Sequence, residues 1–451
     1  MGSSFQTTDF TPVCSFVREY AEREPLRLHM PGHKGRGKME ALDLTEIQGL
    51  PNLYPATGIV RRSEEIAAEL FGAGRTVFSA EGSSLCIRAM LALVKMRAER
   101  RGKKPVVLAG RNAHRSFLTG AALLGIQVRW IRGEELLTCR PTPPELEKLI
   151  REMAEPPEAV YLTSPDYLGN RADIRGLAGV CRARGIPFLV DNAHGAYLRF
   201  CREDLHPLSL GADLTCDSAH KTLPVLTGGA YLHISRDADP FFAAQAERCM
   251  ALFASTSPSW LILQSLDRTN GVLAGDYAKK IAAFGERVSG LKEGLAAQGF
   301  ALRGEEPMKI TLAPRNYGYT GEELAGLLRR EDIECEFSDP DYLVMMVTPE
   351  TGEEGLRRLE RALKSVPRRR PLEEKRPEMP EPCPAIPLHQ AMMAPAEEVP
   401  AEKSLGRVLA DPCVSCPPAV PILLAGEKIS RQAIDCFRYY GVERLLCVKE
   451  D

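Results

Sequence analysis

Three short stretches place reactive side chains where a buried sheet would present them. In "CDSAHKTLPVLTGGAYLHI", Cys216 to Ile234, a polar stretch from Asp217 to Thr222 separates one apolar run from the next. A lysine at that junction, Lys221, must be paired or chemically used, because buried sheets rarely tolerate a bare ammonium. Desolvated at a strand end, its amine gives up a proton more readily and becomes nucleophilic toward a carbonyl. Gly228 and Gly229 let the backbone turn closely before the following strand. Thirty residues upstream of the lysine, "FLVDNAHGAY" ends a buried strand on Asp191. An ionised carboxylate there needs a cation or several donors, so a helix N-cap, a salt bridge or a protonated pyridine nitrogen would each serve. The third stretch, "SAEGSSLCIRAMLALVKM", opens a helix on Ser83 and Ser84. Its backbone N–H groups and two hydroxyls at the positive helix end suit a phosphate dianion, although taken alone an ordinary cap is the preferred reading.

Each feature alone has a bland reading; the three in order are the parts that pyridoxal phosphate needs. They supply an anchor for its phosphate, a counter-ion for its ring nitrogen and an amine for its aldehyde. The elements around them are consistent with that use. From Ser63 to Ile234, apolar β-rich runs such as "PVVLAG", "AVYLTSP" and "IPFLVDNAHG" alternate with helical patterns such as "PPELEKLIREMA" and "IRGLAGVCRARG". That alternation implies right-handed crossovers and a mainly parallel α/β sheet, whose chemistry collects at the carboxyl ends of the strands. The spacing divides the chain into an N-terminal arm (1–62), a large cofactor-binding domain (63–290) and a smaller α+β domain (291–365). A Pro-rich, charged linker (366–403) and a C-terminal segment (404–451) follow. The linker composition reads as extended chain, disordered in part or draped over the surface.

Bulk properties exclude several classes. A chain of 451 residues with 44% hydrophobic and 26% charged residues is that of an ordinary globular protein with more than one core. A formal net charge of -2 provides no field to recruit nucleic acid or an anionic membrane. No apolar run is long enough to span a bilayer, and the N-terminus lacks a basic region followed by an apolar core, so a cytoplasmic protein is expected. The thirteen cysteines are scattered. Cys413 and Cys416 form the one tight pair and lack a second ligand pair, so no metal site is expected.

The chain also resembles a known family. "RLHMPGHKGRG", "DLTEIQGLPNLYPATGIVRRSEEIAAELFGA", "RNAHRS", "TSPDYLG", "DNAHGAY", "DSAHKTL" and "STSPSWLILQSLD" are together similar to the ornithine/lysine/arginine decarboxylase family. Its members have the aspartate-aminotransferase fold (fold type I of pyridoxal-phosphate enzymes), and the chain resembles the short form without a receiver-like wing domain. The resemblance runs to "CPPAVPILLAGEKI" near the C-terminus. It implies that Lys221 binds the cofactor aldehyde covalently, Asp191 faces the pyridine nitrogen and His114 stacks on the ring. It implies that Ser83, Ser84, Ser218 and His220 line the phosphate end and that His194 lies near the lysine. Thr256 and Ser257 resemble a segment that reaches the neighbouring subunit's phosphate, which implies a homodimer with shared sites, or a higher oligomer built from it. The chain departs from the family pattern at Asp166, where a hydroxyl residue is common, and at Cys416, Ala419 and Ala425.

The implied reaction is decarboxylation of arginine, lysine or ornithine, giving the corresponding amine and CO₂, with Lys221 or His220 returning a proton to Cα. The distal cation of such a substrate needs a carboxylate. "ECEFSDPDY" offers Glu334, Glu336, Asp339 and Asp341, although an acidic surface loop is the preferred reading of most of them. An aminotransferase of the same fold would need an arginine on the substrate α-carboxylate. A silent regulator of the same fold would not need the Lys/Asp/His set.

Overall fold

The computed structural model describes residues 10–45, 47–373, 375–414 and 421–450. Cys416 and Ala419 lie outside the described residues. The main sheet has seven strands: β1 (Arg75–Ser79), β2 (Val106–Gly110), β3 (Gln127–Ile131), β4 (Ala159–Thr163), β5 (Phe188–Asp191), β6 (Leu214–Asp217) and β7 (Ala230–Ile234). Their order is β1-β7-β6-β5-β4-β2-β3. Helices α1 (Pro12–Glu22), α2 (Gly58–Phe71), α3 (Gly82–Arg100), α4 (Arg115–Leu124), α5 (Pro143–Glu152), α6 (Ile174–Arg182) and α7 (Ala219–Thr222) accompany the strands. The expected α/β fold with a mainly parallel sheet is therefore present, and each quoted apolar run is a strand. The helices start where the residue types demand. Thr142 and Glu145 close a capping box ahead of α5 with Pro143 in its first turn, and Asp173 caps α6 through the Gly176 N–H at 3.0 Å.

The chain divides into two compact units, Met1–Leu93 with Asn192–Ala282, and Val94–Asp191 with Ala283–Asp451. In the first, β7 runs antiparallel to both β1 and β6. There α1, α2 and the helix Trp260–Ala274 pack on one another, and Val13, Val17, Val60, Ile66 and Leu263 of these helices are almost fully buried. Asp267 joins these helices. Its carboxylate accepts the Cys14 N–H at 2.8 Å, at the start of α1, and the Ser63 hydroxyl of α2 at 2.6 Å.

In the second unit, β5-β4-β2-β3 are parallel. A smaller antiparallel sheet follows, built from β8 (Ala301–Arg303), β9 (Lys309–Ala313), β10 (Phe337–Ser338) and β11 (Leu343–Met346) in the order β10-β11-β9-β8. The span 366–403, read as extended linker, departs from that reading at its C-terminal end. Leu388–Met393 is helical, and β12 (Ala396–Pro400) pairs antiparallel with β13 (Arg444–Val448). The cause is burial: Ala391 is fully enclosed, and Val399 joins an apolar cluster with Leu409, Ile422, Phe437 and Cys447. The acidic stretch 334–341 also departs from a surface loop. Glu334 and Glu336 are exposed, but Asp339 and Asp341 are buried.

Candidate active site

The residues singled out by sequence fall into two groups, one in each unit. In the first unit, Ser79 ends β1 and its hydroxyl donates to the Gly82 carbonyl at 2.9 Å. Gly82 opens α3 with φ +73, a left-handed conformation that a side chain would strain, and its N–H donates to the Gly228 carbonyl at 2.7 Å. Gly228 has φ +98, and a Cβ there would meet the Ala80 carbonyl at 3.0 Å. The glycine after the lysine therefore brings two loops into backbone contact at the positive end of α3.

Ser83 is buried and Ser84 half-buried in the first turn of that helix. Ser218 stands at the N-cap of α7 without capping it; its hydroxyl donates instead to Ser83 Oγ at 2.6 Å. Within α7, His220 uses both its N–H and Nδ1 on the Gly229 carbonyl, each at 3.1 Å. Nδ1 must therefore carry the proton. Burial pulls the His220 imidazole below its ordinary range, and the charge of Lys221 pulls it further against the effect of that carbonyl. Lys221 is half-buried, with Nζ 3.2 Å from Nε2 of the buried His194. An ammonium can only donate, so His194 Nε2 accepts and its proton sits on Nδ1.

Thr256 and Ser257 are exposed. The Ser255 N–H donates to Glu81 at 2.7 Å, so this segment is tied to the residue before Gly82.

Below Ser218 lies a group that sequence reading missed. Asp217, His206 and His233 are fully buried. His206 Nε2 lies 2.8 Å from Asp217 Oδ2, and Asn192 Nδ2 donates to Oδ1 at 2.8 Å. Burial alone would raise the Asp217 carboxyl, but His206, with His233 adding, holds it well below the usual carboxylate range. Asp217 thus ties Asn192, the residue after Asp191, to the end of β6, from which the Ser218–Lys221 turn departs. The signal available in sequence was a second acidic strand end four residues before the lysine.

In the second unit, Asp191 ends β5, buried, and accepts the Tyr161 hydroxyl at 3.1 Å on Oδ2. His114 is the N-cap of α4. Its exposed side chain accepts the Ser116 N–H on Nδ1 at 3.2 Å. Three residues before it, Arg111 makes two 2.6 Å bonds to Glu427, which anchors the loop to the C-terminal segment. Asp166 forms the turn after β4. Its carboxylate accepts the Leu168 and Asn170 N–H groups, each at 2.9 Å, and the Asn170 side chain at 2.8 Å. Asp341 is held by Tyr439, Tyr440 and Arg376 at 2.8, 3.0 and 2.9 Å. Asp339 accepts two backbone N–H groups, and burial pushes its carboxyl up to about 7.

Comparison with known proteins defines the class. The fold is that of the fold type I pyridoxal-phosphate enzymes. A lysine decarboxylase of Francisella novicida superposes with a TM-score of 0.80 over 98% of this chain and 82% of that one, at 15% identity. The constitutive lysine decarboxylase of E. coli gives 0.75 over 97% and 82%, at 17% identity. Within that class the sequence is more specific. The family model "Orn/Lys/Arg decarboxylase, major domain" matches residues 11–288, and the chain belongs to the Orn/Lys/Arg decarboxylase family. An arginine decarboxylase of Bacillus subtilis (strain 168) is 28% identical, with 94% of this chain and 92% of that protein aligned.

Proposed function

We propose that this protein binds pyridoxal phosphate on Lys221 and decarboxylates a basic L-amino acid, releasing CO₂ and the corresponding amine. The observation that carries the reading is the donor set at the start of α3. The Ser83 and Ser218 hydroxyls sit 2.6 Å apart beside a helix N-terminus, next to a half-buried lysine whose Nζ is 3.2 Å from His194. Clustered hydroxyl and N–H donors fit a phosphate dianion, the amine fits an aldehyde, and the buried Asp191 fits a pyridinium. When bound, pyridoxal phosphate supplies the aldehyde that captures the substrate amine and the ring that takes up the electron pair left by CO₂.

The chain's own residues do the rest. His194 holds the Lys221 amine in one direction. His220, kept neutral by burial and with Nδ1–H engaged, presents Nε2 as a proton carrier; it and Lys221 are the two groups proposed to protonate Cα. His114 would cover the ring face, and Ser84 would add a phosphate donor. Arginine is the first substrate to test, because a relative aligned over most of both chains carries that name.

A homodimer is part of the proposal. Leu26, Leu28, Met30 and Met39 of the N-terminal segment and Leu252 are 61–86% exposed, an unusual density of large apolar side chains for a monomer surface. The exposed Thr256 and Ser257 would reach the neighbour's phosphate. Among the described residues no helix is long and apolar enough to cross a membrane, and we place the enzyme in the cytoplasm.

The test is a substrate panel. Purified protein with pyridoxal phosphate is offered L-arginine, L-lysine and L-ornithine, and amine, CO₂ and keto acid are quantified. One basic substrate should give amine and CO₂ in equal amounts. Keto acid without CO₂ would establish the aminotransferase reading instead. Borohydride should trap the cofactor on Lys221. The Lys221→Ala variant should keep its unfolding midpoint and lose both adduct and turnover.

A further inference from the structure

The inference rests on the reading above and concerns Tyr161. In the parallel pair β4–β5, Tyr161 stands opposite Leu189 and Thr163 opposite Asp191, so Tyr161 and Asp191 are diagonal neighbours on one face. Tyr161 is fully buried and Asp191 nearly so. The phenol donates to Asp191 Oδ2 at 3.1 Å. The ring of Tyr161 packs against Phe117, centroids 4.3 Å apart and planes inclined by 37°. Phe117 lies in the first turn of α4, three residues after His114, its N-cap.

We infer that Tyr161 is a positioning residue for the cofactor ring, holding Asp191 as an oriented anion through its hydroxyl and supporting the helix that presents His114 through its ring. The argument is electrostatic. A hydrogen bond donated to a carboxylate favours its charged form. When a pyridine nitrogen faces Asp191, one proton is shared between ring and carboxylate. A carboxylate already stabilised by a phenol competes for that proton less well. Tyr161 therefore keeps the proton on the ring, where it makes the ring a better electron acceptor. A tyrosine that merely fills the core would leave the proton's position unchanged when its oxygen is removed.

The experiment compares wild-type and Tyr161→Phe holoenzymes reconstituted with pyridoxal phosphate carrying ¹⁵N in the ring. In the wild type the ¹⁵N resonance should lie at the protonated-pyridine position. In Tyr161→Phe it should move toward the neutral position, kcat should fall about tenfold and KM should stay within about twofold. The apo-protein unfolding midpoint should change by only a few degrees, because the ring packing on Phe117 remains. An unchanged resonance and kcat in Tyr161→Phe overturns the inference. If that variant does not fold, 4-aminophenylalanine at position 161, a weaker donor of nearly the same shape, should move the resonance toward the neutral position. No movement there also overturns it. Failure of the wild type itself to take up cofactor, with no borohydride adduct on Lys221, would instead remove the proposed function and this inference together. Uptake with a silent Tyr161→Phe removes this inference alone.

Discussion

Replacing Arg111 by methionine tests whether the C-terminal segment holds the loop that carries His114. The Arg111 side chain is 11% exposed and that of Glu427 5%, and the two make parallel 2.6 Å bonds. Two unit charges whose centres lie about 4 Å apart, as in a doubly bonded guanidinium–carboxylate pair, attract by about 4 kcal/mol at the effective dielectric of a partly buried site. Removing the guanidinium leaves Glu427 enclosed, with the Leu424 N–H still donating to it at 2.9 Å. An uncompensated buried carboxylate of this kind costs about 3–5 kcal/mol. The double variant Arg111→Met/Glu427→Met removes both charges and leaves only the Leu424 N–H to be re-satisfied, about 1 kcal/mol. It should be more stable than Arg111→Met alone. Urea unfolding of wild type, both single variants and the double variant measures this as a coupling energy, expected at about 2 kcal/mol or more. Cofactor affinity should fall in Arg111→Met and recover in part in the double variant. A single-variant cost below about 1 kcal/mol, or strict additivity, would refute the clamp.

Two further predictions concern buried carboxylates. Burial raises the Asp267 carboxyl to about 6, against its ordinary 3.8, despite donors from Ser63 and Cys14. The native state therefore binds this proton more tightly than the unfolded chain, and stability falls as pH rises between about 4 and 6, by about 2–3 kcal/mol from this group. Asp267→Asn should flatten that part of the pH–stability curve in urea unfolding, and equal slopes in both proteins would contradict it. The His206–Asp217–His233 group has the composition of a metal site, yet His206 Nδ1 accepts the Leu208 N–H at 3.2 Å, so the His206 proton must sit on Nε2, facing Asp217. A nitrogen bearing that proton is no ligand. Exhaustive dialysis against chelator should leave the unfolding midpoint unchanged. Stoichiometric zinc in elemental analysis, lost together with stability, would overturn the tautomer argument.

The alternation of apolar runs with helical patterns was legible because parallel strands buried on both faces must be almost wholly apolar; Phe188–Val190 and Ala159–Leu162 show it plainly. The polar residues at strand ends, Asp191 and the turn after Asp217, were legible for the same reason: they interrupt those runs. The pairing of Ser83 with Ser218 and of Lys221 with His194 could not be read from spacing, because each joins residues far apart in sequence; only the family resemblance placed them near one another. Tyr161 was hidden more thoroughly, since a tyrosine in a strand pattern looks like core until its hydroxyl finds a carboxylate. Asp339 and Asp341 misled because charge is normally a surface signal. Their burial depends on backbone N–H groups, two tyrosines and Arg376, none of which the local stretch discloses. The strand Ala396–Pro400 was masked by its prolines and glutamates, and its partner Arg444–Val448 lies more than forty residues on.

The interleaving of the two units sets an order for synthesis. The unit with Lys221 is complete once residue 282 has emerged from the ribosome, whereas the unit with Asp191 waits for a segment that starts at 283 and ends with β13. Domains tend to fold as soon as their chain is available. The unit that carries Lys221 can thus reach its native form while strands β2 to β5, already made, still await the later residues of their own unit. During that interval they are the part of the nascent chain most in need of a chaperone.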